Sequence, residues 1–389
     1  MHSDLIIVGG GPAGLAFALS LAGAGLRITV IETHPEEELA NPPFDGRDIA
    51  LTHGSKRILS ELGIWERLPR DQVFPIRDAR VLDGYSPYAL EFGHQEAGVN
   101  ALGFLVSNHL IRRTLYEAVS ATEDVLLQTS QTVSSVHPEE SSVTVTNCSG
   151  HSLKASLLVA ADSRFSSVRR RVGVAARHRD FGRAALVCRM SHEHDNSGIA
   201  SECFQYGQTV AVLPLTSQSS SIVITVPTDR AQTLLEMTTT DFAGWISARL
   251  DNRLGSMDLI GERFVYPLIA VLADRFDGPR TALIGDAAVG MHPVTAHGYN
   301  LGLSGQELLA RAVLTARHQG QDIGSPKLLQ QYSDRHRRVV LPMYFGTNAL
   351  VGLYTTENLP TKIVRKALLH AANHLPPIRR VVTDRLVSH

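Results

Sequence analysis

The first 31 residues contain two apolar runs with a helical segment between them. Asp4–Val8 is rich in β-branched residues and is typical of a strand buried on both faces. Leu15–Ala24 has the apolar content of a packed helix, and Arg27–Ile31 predicts a second strand. The chain is therefore expected to open with a strand, a helix and a strand in that order.

From Arg183 to Pro267 the pattern changes to short apolar runs separated by polar turns, which is typical of a mostly antiparallel sheet. The predicted strands are Ala184–Met190, Glu202–Phe204, Val210–Leu213, Ser221–Val226 and Arg263–Pro267, with a helix at Asp241–Leu250. We interpret the region as a substrate domain inserted into a nucleotide-binding domain. Its sheet would form one wall of a cavity at the junction, a common place for small-molecule sites.

The segment Leu283–Leu303 joins an apolar run, a tight turn and the start of a long amphipathic helix. Pro293 and Gly298 argue against regular structure between the turn and the helix. Such a segment can place the Asp286 carboxylate near polyol or phosphate oxygens, and can aim helix N–H groups at an anion or an electron-rich ring. The alternative interpretation is an ordinary strand–loop–helix connection.

The end of the chain predicts helices and a basic tail. Ser304–Gln319 and Leu328–Leu341 have helical periodicity, and residues 342–389 mix an apolar stripe with Lys and Arg. The favoured interpretation of this tail is a helical cover that packs on the core and exposes a basic face. The alternative is peripheral contact with an anionic membrane surface.

Composition narrows the class of protein. The 389 residues carry 37 Lys and Arg against 38 Asp and Glu, so no overall charge favours nucleic acid as a partner. Three cysteines without metal-ligand spacing predict no metal site and favour a reducing compartment. No uninterrupted apolar run reaches 18 residues. We expect a cytoplasmic globular protein with two domains or one large one.

A dinucleotide fingerprint lies between the first predicted strand and helix. Gly9-x-Gly11-x-x-Gly14 stands directly after the strand, and Glu32 follows 18 residues after the last glycine, at the end of the second strand. Gly9 permits the turn, Gly11 lets a pyrophosphate approach the backbone, and Gly14 lets helix and strand pack. A carboxylate at the ribose disfavours a 2′-phosphate, so the sequence predicts tightly bound FAD or NAD.

Two further residues each have two interpretations. Arg47 either pairs with a phosphate or the edge of a flavin, or is a solvated loop arginine. Asp162 follows the apolar run Leu153–Ala160 and precedes an arginine-rich segment. It is either a ligand group at the carboxyl end of a strand or the N-cap of a helix that begins near Ser163.

The stretches Val210–Leu215, Tyr266–Leu268 and His292–Gly302 resemble the ubiquinone-biosynthesis branch of the single-component FAD-dependent aromatic hydroxylases. Three separated patterns together resemble that family as a whole. The patterns are Gly9-x-Gly11-x-x-Gly14 with Glu32, Ala161-Asp162 with Ser166-x-Val168-Arg169, and Gly285-Asp286 with Pro293 and Gly298-x-Asn300-x-Gly302. One departure is Ala160-Ala161-Asp162-Ser163 where the family has Gly-Ala-Asp-Gly.

The resemblance implies an α/β fold with a Rossmann-like FAD-binding domain of the glutathione-reductase type, an inserted mostly antiparallel β-sheet substrate domain and a C-terminal helical segment. The FAD-binding parts would be residues 1–75, 101–180 and 271–341, the substrate domain 76–100 and 181–270, and the tail 342–389. The implied FAD contacts, from pyrophosphate to isoalloxazine, are Gly9, Gly11, Ala13, Gly14, Glu32, Arg47, Asn108, Asp162 (also toward the nicotinamide), Asp286, Gly298, Tyr299 and Asn300.

The implied activity is hydroxylation of an aromatic ring, with NADH or NADPH as transient reductant, O2 as oxidant and a prenylated phenol or benzoquinol as substrate. His297 is the predicted base, with a hydrogen bond to the backbone as its alternative role. Tyr206 and Tyr266 either line the substrate wall or, as the default interpretation, are core aromatics. A complex with other quinone-biosynthesis enzymes is also expected. Two alternatives stay open, namely an FAD-dependent reductase of prenyl double bonds and a non-catalytic flavoprotein subunit.

Overall fold

The computed structural model describes residues 3–83, 89–205, 207–292 and 297–355. Its strands are β1 (Leu5–Val8), β2 (Ile28–Ile31), β3 (Asp48–Leu51), β4 (Val73–Ile76), β5 (Asp78–Asp83), β6 (Ala89–Phe92), β7 (Gly103–Ser107), β8 (Val125–Gln128), β9 (Val133–Pro138), β10 (Val143–Asn147), β11 (Ser152–Ala155), β12 (Leu157–Ala160), β13 (Ala176–His192), β14 (Ile199–Gln205), β15 (Gln208–Pro214), β16 (Ser219–Pro227), β17 (Met257–Ala273), β18 (Asp277–Gly278), β19 (Thr281–Leu283) and β20 (Val289–Gly290). Its helices are α1 (Pro12–Ser20), α2 (Glu36–Ala40), α3 (His53–Glu61), α4 (Asn108–Ser120), α5 (Ser167–Arg171), α6 (Thr228–Glu236), α7 (Thr239–Arg249), α8 (Gly298–His318) and α9 (Pro326–Thr355).

The first sheet has six strands in the order β18-β19-β12-β1-β2-β8. β1 pairs in parallel with β2 on one side and with β12 on the other, and all four residues of each of these strands are buried. Continuous apolar runs are what a parallel sheet covered on both faces requires. The strand, helix and strand predicted at the start of the chain are therefore present, as β1, α1 and β2.

The second sheet has eight strands in the order β20-β17-β13-β16-β15-β14-β5-β6. Its pairs are antiparallel except that β14 and β5 run parallel. One face forms a separate core with α6 and α7, in which Leu186, Cys188 and Ile224 pack with Phe242 and Ile246. The opposite face points toward the segment that carries β3. There Arg189 donates to the Asp48 carboxylate at 2.6 Å.

Two three-stranded sheets complete the fold, in the orders β3-β7-β4 and β11-β10-β9. β7 pairs with both β3 and β4, and Ser107 at its end lies opposite Asp48 at the start of β3. The start of α4 at Asn108 therefore lies beside Arg47, the residue before β3. The Asn108 N–H donates to the Arg47 carbonyl at 2.9 Å, which fixes these two residues next to each other.

The last helix is longer than the sequence pattern predicts. Leu328–Leu341 was the expected extent, but α9 continues through Pro342 to Thr355. A proline inside a helix costs about 3 kcal/mol. Burial of Val340, Tyr344 and Val351 on either side of it offsets that cost, at about 1.5–3 kcal/mol for each large apolar side chain.

Part of the predicted C-terminal tail and one residue of the predicted substrate wall are not among the described residues. Residues 356–389 and Tyr206 lie outside the described residues, so both interpretations of the tail stay predictions. Within the described ranges, no helix has the length and apolar character needed to cross a bilayer.

Candidate active site

In the glycine-rich turn between β1 and α1, the first and last glycines are tightly packed and the middle one faces open space. Gly9 has φ +113°, and a Cβ there would lie 2.3 Å from the Ala161 carbonyl oxygen. A Cβ at Gly14 would lie 2.0 Å from the Gly9 carbonyl oxygen, whereas one at Gly11 would meet nothing within 4 Å. The outer glycines are therefore required for packing, and Gly11 leaves open space at the start of α1 where a pyrophosphate can approach the backbone.

A second close contact joins this turn to the segment after β19. Gly285 has φ +56°, and a Cβ there would lie 2.9 Å from the Ala13 Cβ. The small side chain of Ala13 and the absence of one at Gly285 let the two turns touch. The structure thereby brings together the first and third sequence patterns.

Glu32 lies at the end of β2 with its carboxylate already engaged by N–H groups. It accepts from the Gly10 N–H at 2.5 Å and from the His34 N–H at 2.9 Å, and the His34 Nδ1 lies 2.6 Å away. Burial opposes its charge, but these hydrogen bonds outweigh burial and lower the pKa of Glu32 below its ordinary value. An ionised carboxylate has about four acceptor positions, so Glu32 can also accept from ribose hydroxyls.

Asp45 brings together two of the predicted flavin-side residues. Its carboxylate accepts from the Arg47 Nη2 at 2.6 Å and from the Asn108 Nδ2 at 2.8 Å. Its carbonyl oxygen accepts from the Tyr266 hydroxyl at 2.7 Å, and the Arg47 guanidinium carbon lies 5.2 Å from the Tyr266 ring centroid. Burial acts against the charge, yet Arg47 and Asn108 hold the pKa of Asp45 below its ordinary value. Arg47 is thus an ion-paired residue that links the segment before β3 to β17.

Asp162 caps α5. Its carboxylate accepts from the Ser166 hydroxyl at 2.5 Å and from the N–H groups of Ser167 and Val168 at 2.8 and 3.2 Å. These bonds satisfy the start of the helix, which begins at Ser167 and not near Ser163 as predicted. Ser163 has φ +97°, a left-handed conformation that favours glycine. The contact of Asp162 with FAD or a nicotinamide is an untested prediction, and these hydrogen bonds favour the alternative role at the start of the helix.

Two arginines connect the Asp162 segment to the Asp286 segment. Arg164 donates from Nη2 to the Asp286 carboxylate at 3.1 Å. Arg169 is almost fully buried and donates to the carbonyl oxygens of Ala287 at 2.8 Å and Arg164 at 3.1 Å. The Asp286 side chain remains 41% exposed, so its carboxylate is accessible to a ligand.

The start of α8 is held in place by the side chain of Asn300. Its Oδ1 accepts from the Thr52 N–H at 3.0 Å and the Ser55 hydroxyl at 2.6 Å, and its Nδ2 donates to the Ala50 carbonyl at 2.8 Å. The helix begins at Gly298 without a side-chain cap. Because the first-turn N–H groups of a helix have no intrahelical partners and carry positive partial charge, the backbone from Gly298 to Asn300 can stabilise an anion.

His297 lines a cavity of about 280 Å³ between α3, α8 and α9. Ser55, Leu308 and Met343 are among the other lining residues. The tyrosine that follows the start of α8, Tyr299, packs against the main core, and burial raises the pKa of its hydroxyl. A role for His297 as base stays a prediction.

Comparison with known proteins agrees with this geometry. The family model described as "FAD binding domain" matches residues 2–344. The ubiquinone hydroxylase UbiM of Neisseria meningitidis is 45% identical, over 100% of this chain and 85% of that protein. The ubiquinone hydroxylase UbiL of Rhodospirillum rubrum is 33% identical, over 97% of this chain and 88% of that protein.

This chain belongs to the FAD-binding-domain family. The fold agrees as well, because the crystal structure of p-nitrophenol 4-monooxygenase PnpA from Pseudomonas putida superposes with a TM-score of 0.78 at 19% identity, over 98% of this chain and 96% of that one. The predicted resemblance to FAD-dependent hydroxylases and the predicted fold class are both confirmed. The protein is an FAD-dependent hydroxylase by family.

The arrangement of residues in this family member fits FAD. Open space above Gly11 suits a pyrophosphate, and Glu32 is ionised where an adenosine ribose would lie. The accessible Asp286 carboxylate suits a polyol chain, and the N-terminus of α8 suits an electron-rich ring edge.

Two residues of the site escaped prediction from the sequence. Asp45 is not among the predicted site residues, and its only local signal is the Asp-Gly step before Arg47, where Gly46 has φ +73°. Arg164 lies two residues after Asp162, but its contact with Asp286 depends on the pairing of β12 with β19. Local sequence gives no information about that pairing.

Proposed function

We propose that this protein hydroxylates the aromatic ring of a prenylated phenol or benzoquinol intermediate of ubiquinone biosynthesis. FAD would be its resident cofactor, NADH or NADPH its transient reductant and O2 its oxidant. The observation that carries the proposal is the packing of Gly285, next to the exposed Asp286 carboxylate, against Ala13 of the glycine-rich turn and Gly302 of α8. β20, which follows Asp286, pairs with β17 of the eight-stranded sheet. The identity to ubiquinone hydroxylases over nearly the whole chain supports the substrate class.

Different residues would bind different parts of FAD. Gly11 and the start of α1 would hold the pyrophosphate, Glu32 the ribose and Asp286 the polyol chain. The N–H groups at the start of α8 would stabilise negative charge at the ring edge. Bound FAD supplies the activation of O2 and the transfer of one oxygen atom to the substrate ring. The sheet face positions that ring and excludes water from it.

Product mass tests the proposal directly. Purified protein supplied with FAD, NADH or NADPH, O2 and a short-chain prenylphenol is expected to yield a product heavier by one oxygen atom. A product heavier by two hydrogen atoms would instead identify a prenyl reductase. Bound FAD that neither NADH nor NADPH reduces would identify a non-catalytic subunit.

The place of action is also part of the proposal. We place the protein in the cytoplasm, with residues 342–389 packed on the core and other quinone-biosynthesis enzymes as partners. Sedimentation of the full chain with anionic phospholipid vesicles tests the tail. Retention in the supernatant supports packing on the core, and salt-sensitive pelleting supports membrane contact.

A further inference from the structure

The eight-stranded sheet carries an ionisable residue on the face opposite its helices. Alternation along β14 places Cys203 in the core that α6 and α7 cover, so its neighbour Glu202 lies on the other face. On β13 and β17 the same face contacts the segment before β3, since a Cβ at Gly46 would lie 2.5 Å from Phe264 and 3.0 Å from Val187. Glu202 therefore shares a face with the residues that contact the FAD-binding side.

Cross-strand pairing places Glu202 in one lateral row of that face. The row runs through directly paired residues, namely Val81, Glu202, Ala211, Val223, Val187 and Phe264. Neighbouring strands are separated by about 4.8 Å, so Glu202 lies about 14 Å from Val187 across the sheet. The residues between them are Ala211 and Val223, whose side chains are short and apolar.

The surroundings of Glu202 are suited to proton transfer. It lies on the sixth of the eight strands and is half-buried. Within the described ranges it forms no ion pair. Burial raises the pKa of its carboxyl to about 7, and a hydrogen bond from Thr209 opposes that rise only in part. A carboxyl with a pKa near the working pH is matched to general base catalysis.

The other charged or titratable groups near this face are already engaged or lie in other rows. Asp48 pairs with Arg189, and Asp45 pairs with Arg47. Among the described residues, the others are Asp83 and Tyr266 on flanking positions of the sheet, His109 on α4 and Arg183 on β13. Arg183 donates to the Gly207 carbonyl at 2.7 Å, in the turn between β14 and β15.

The geometry points to Glu202 as the base that accepts the proton of the substrate's ring hydroxyl, an inference that rests on the proposed hydroxylase function. The O–H bond of the substrate breaks, the proton binds a Glu202 carboxylate oxygen, and the electron pair stays on the ring oxygen. The resulting phenolate is richer in electrons and more reactive toward an electrophilic oxygen. The proton returns to solvent after product release.

The test compares Glu202→Gln with wild type in product formation across pH 5.5–10. Wild-type kcat is expected to rise with pH through about 7, because the base acts only when deprotonated. E202Q should lose about 100-fold in kcat at pH 7.5 and lose this rise, as removal of a general base typically costs at least that much. Its activity should recover toward pH 10, where the phenol ionises on its own. Glu202→Asp should restore part of the rise near pH 7.

Controls separate this role from a structural one. E202Q should bind FAD and be reduced by NADH or NADPH at the wild-type rate, and the exposed, matched variant Glu262→Gln should behave like wild type throughout. If E202Q keeps the rise near pH 7, or if His297→Asn removes it instead, the inference is overturned. If wild type itself forms no hydroxylated product, the proposed function fails and this inference fails with it.

Discussion

Asp162 and Asp286 follow two strands that pair with each other, yet they do different things. β12 and β19 run in parallel with Ala160 opposite Leu283, and each is followed within three residues by an aspartate. The Asp162 carboxylate accepts hydrogen bonds from the first N–H groups of α5. The Asp286 carboxylate accepts from Arg164 and stays 41% exposed. An acid after a buried strand therefore predicts a position at the sheet edge, and the conformation of the following residues decides its role.

The largest expected effect comes from cutting the link between the two segments. Arg169→Ala leaves the buried carbonyl oxygen of Ala287 and the part-buried one of Arg164 without this donor and opens a cavity. The free energy of unfolding should fall by about 3 kcal/mol. Urea denaturation measures it, and Arg170→Ala, which alters an exposed neighbour, should stay within about 0.5 kcal/mol of wild type. Equal losses in the two variants would contradict the assigned role of Arg169.

Replacing Asp162 should affect the stability of the protein and not its affinity for FAD. Asp162→Ala removes the acceptor for two N–H groups of α5, so we expect a loss of about 1–2 kcal/mol in the free energy of unfolding. The dissociation constant for FAD, measured by fluorescence quenching on the apoprotein, should change less than threefold. A tenfold weaker affinity would show that Asp162 contacts the cofactor after all.

Asp286→Ala should give the opposite result. We expect FAD to bind about tenfold more weakly, corresponding to about 1.4 kcal/mol, because one acceptor for the polyol chain is lost. Stability of the apoprotein should change by less than about 1 kcal/mol, since the Arg164–Asp286 pair is partly exposed. Unchanged FAD affinity would remove Asp286 from the binding site.

The smallest expected effect concerns the turn after Asp162. Ser163→Gly relieves the left-handed conformation at φ +97° and should raise the free energy of unfolding by about 0.5–1 kcal/mol. Ser141→Gly, in an exposed turn without positive φ, should give no gain. A destabilised S163G protein would mean that the serine side chain stabilises the turn.

The residues predicted correctly are those whose constraints are local. Gly9 and Gly14 are required by contacts within a few residues or across one strand pair, so the fingerprint and its flanking elements were predictable. Asp45 was not, because its partners Asn108 and Tyr266 are distant in sequence. Glu202 appeared within a predicted strand, but alternation alone does not tell which face the helices cover.

The end of α9 could not be predicted from the local sequence. Pro342 is a reasonable stop signal by local chemistry, and only the burial of Tyr344 and Val351 against the rest of the protein carries the helix past it. Tertiary packing overrides local propensity here. The start of α5, four residues later than predicted, has a local cause instead, because Asp162 accepts hydrogen bonds from Ser166, Ser167 and Val168.

The contact between Ala13 and Gly285 has a consequence for biosynthesis. The chain as far as Gly285 must leave the ribosome before the glycine turn gains this contact. β1 pairs with β12, and β12 pairs with β19, which lies close to the start of α8 in the sequence. Contacts of such long sequence separation form slowly. A nascent chain shorter than about 300 residues therefore lacks the completed pocket, so cofactor capture becomes a late step of folding.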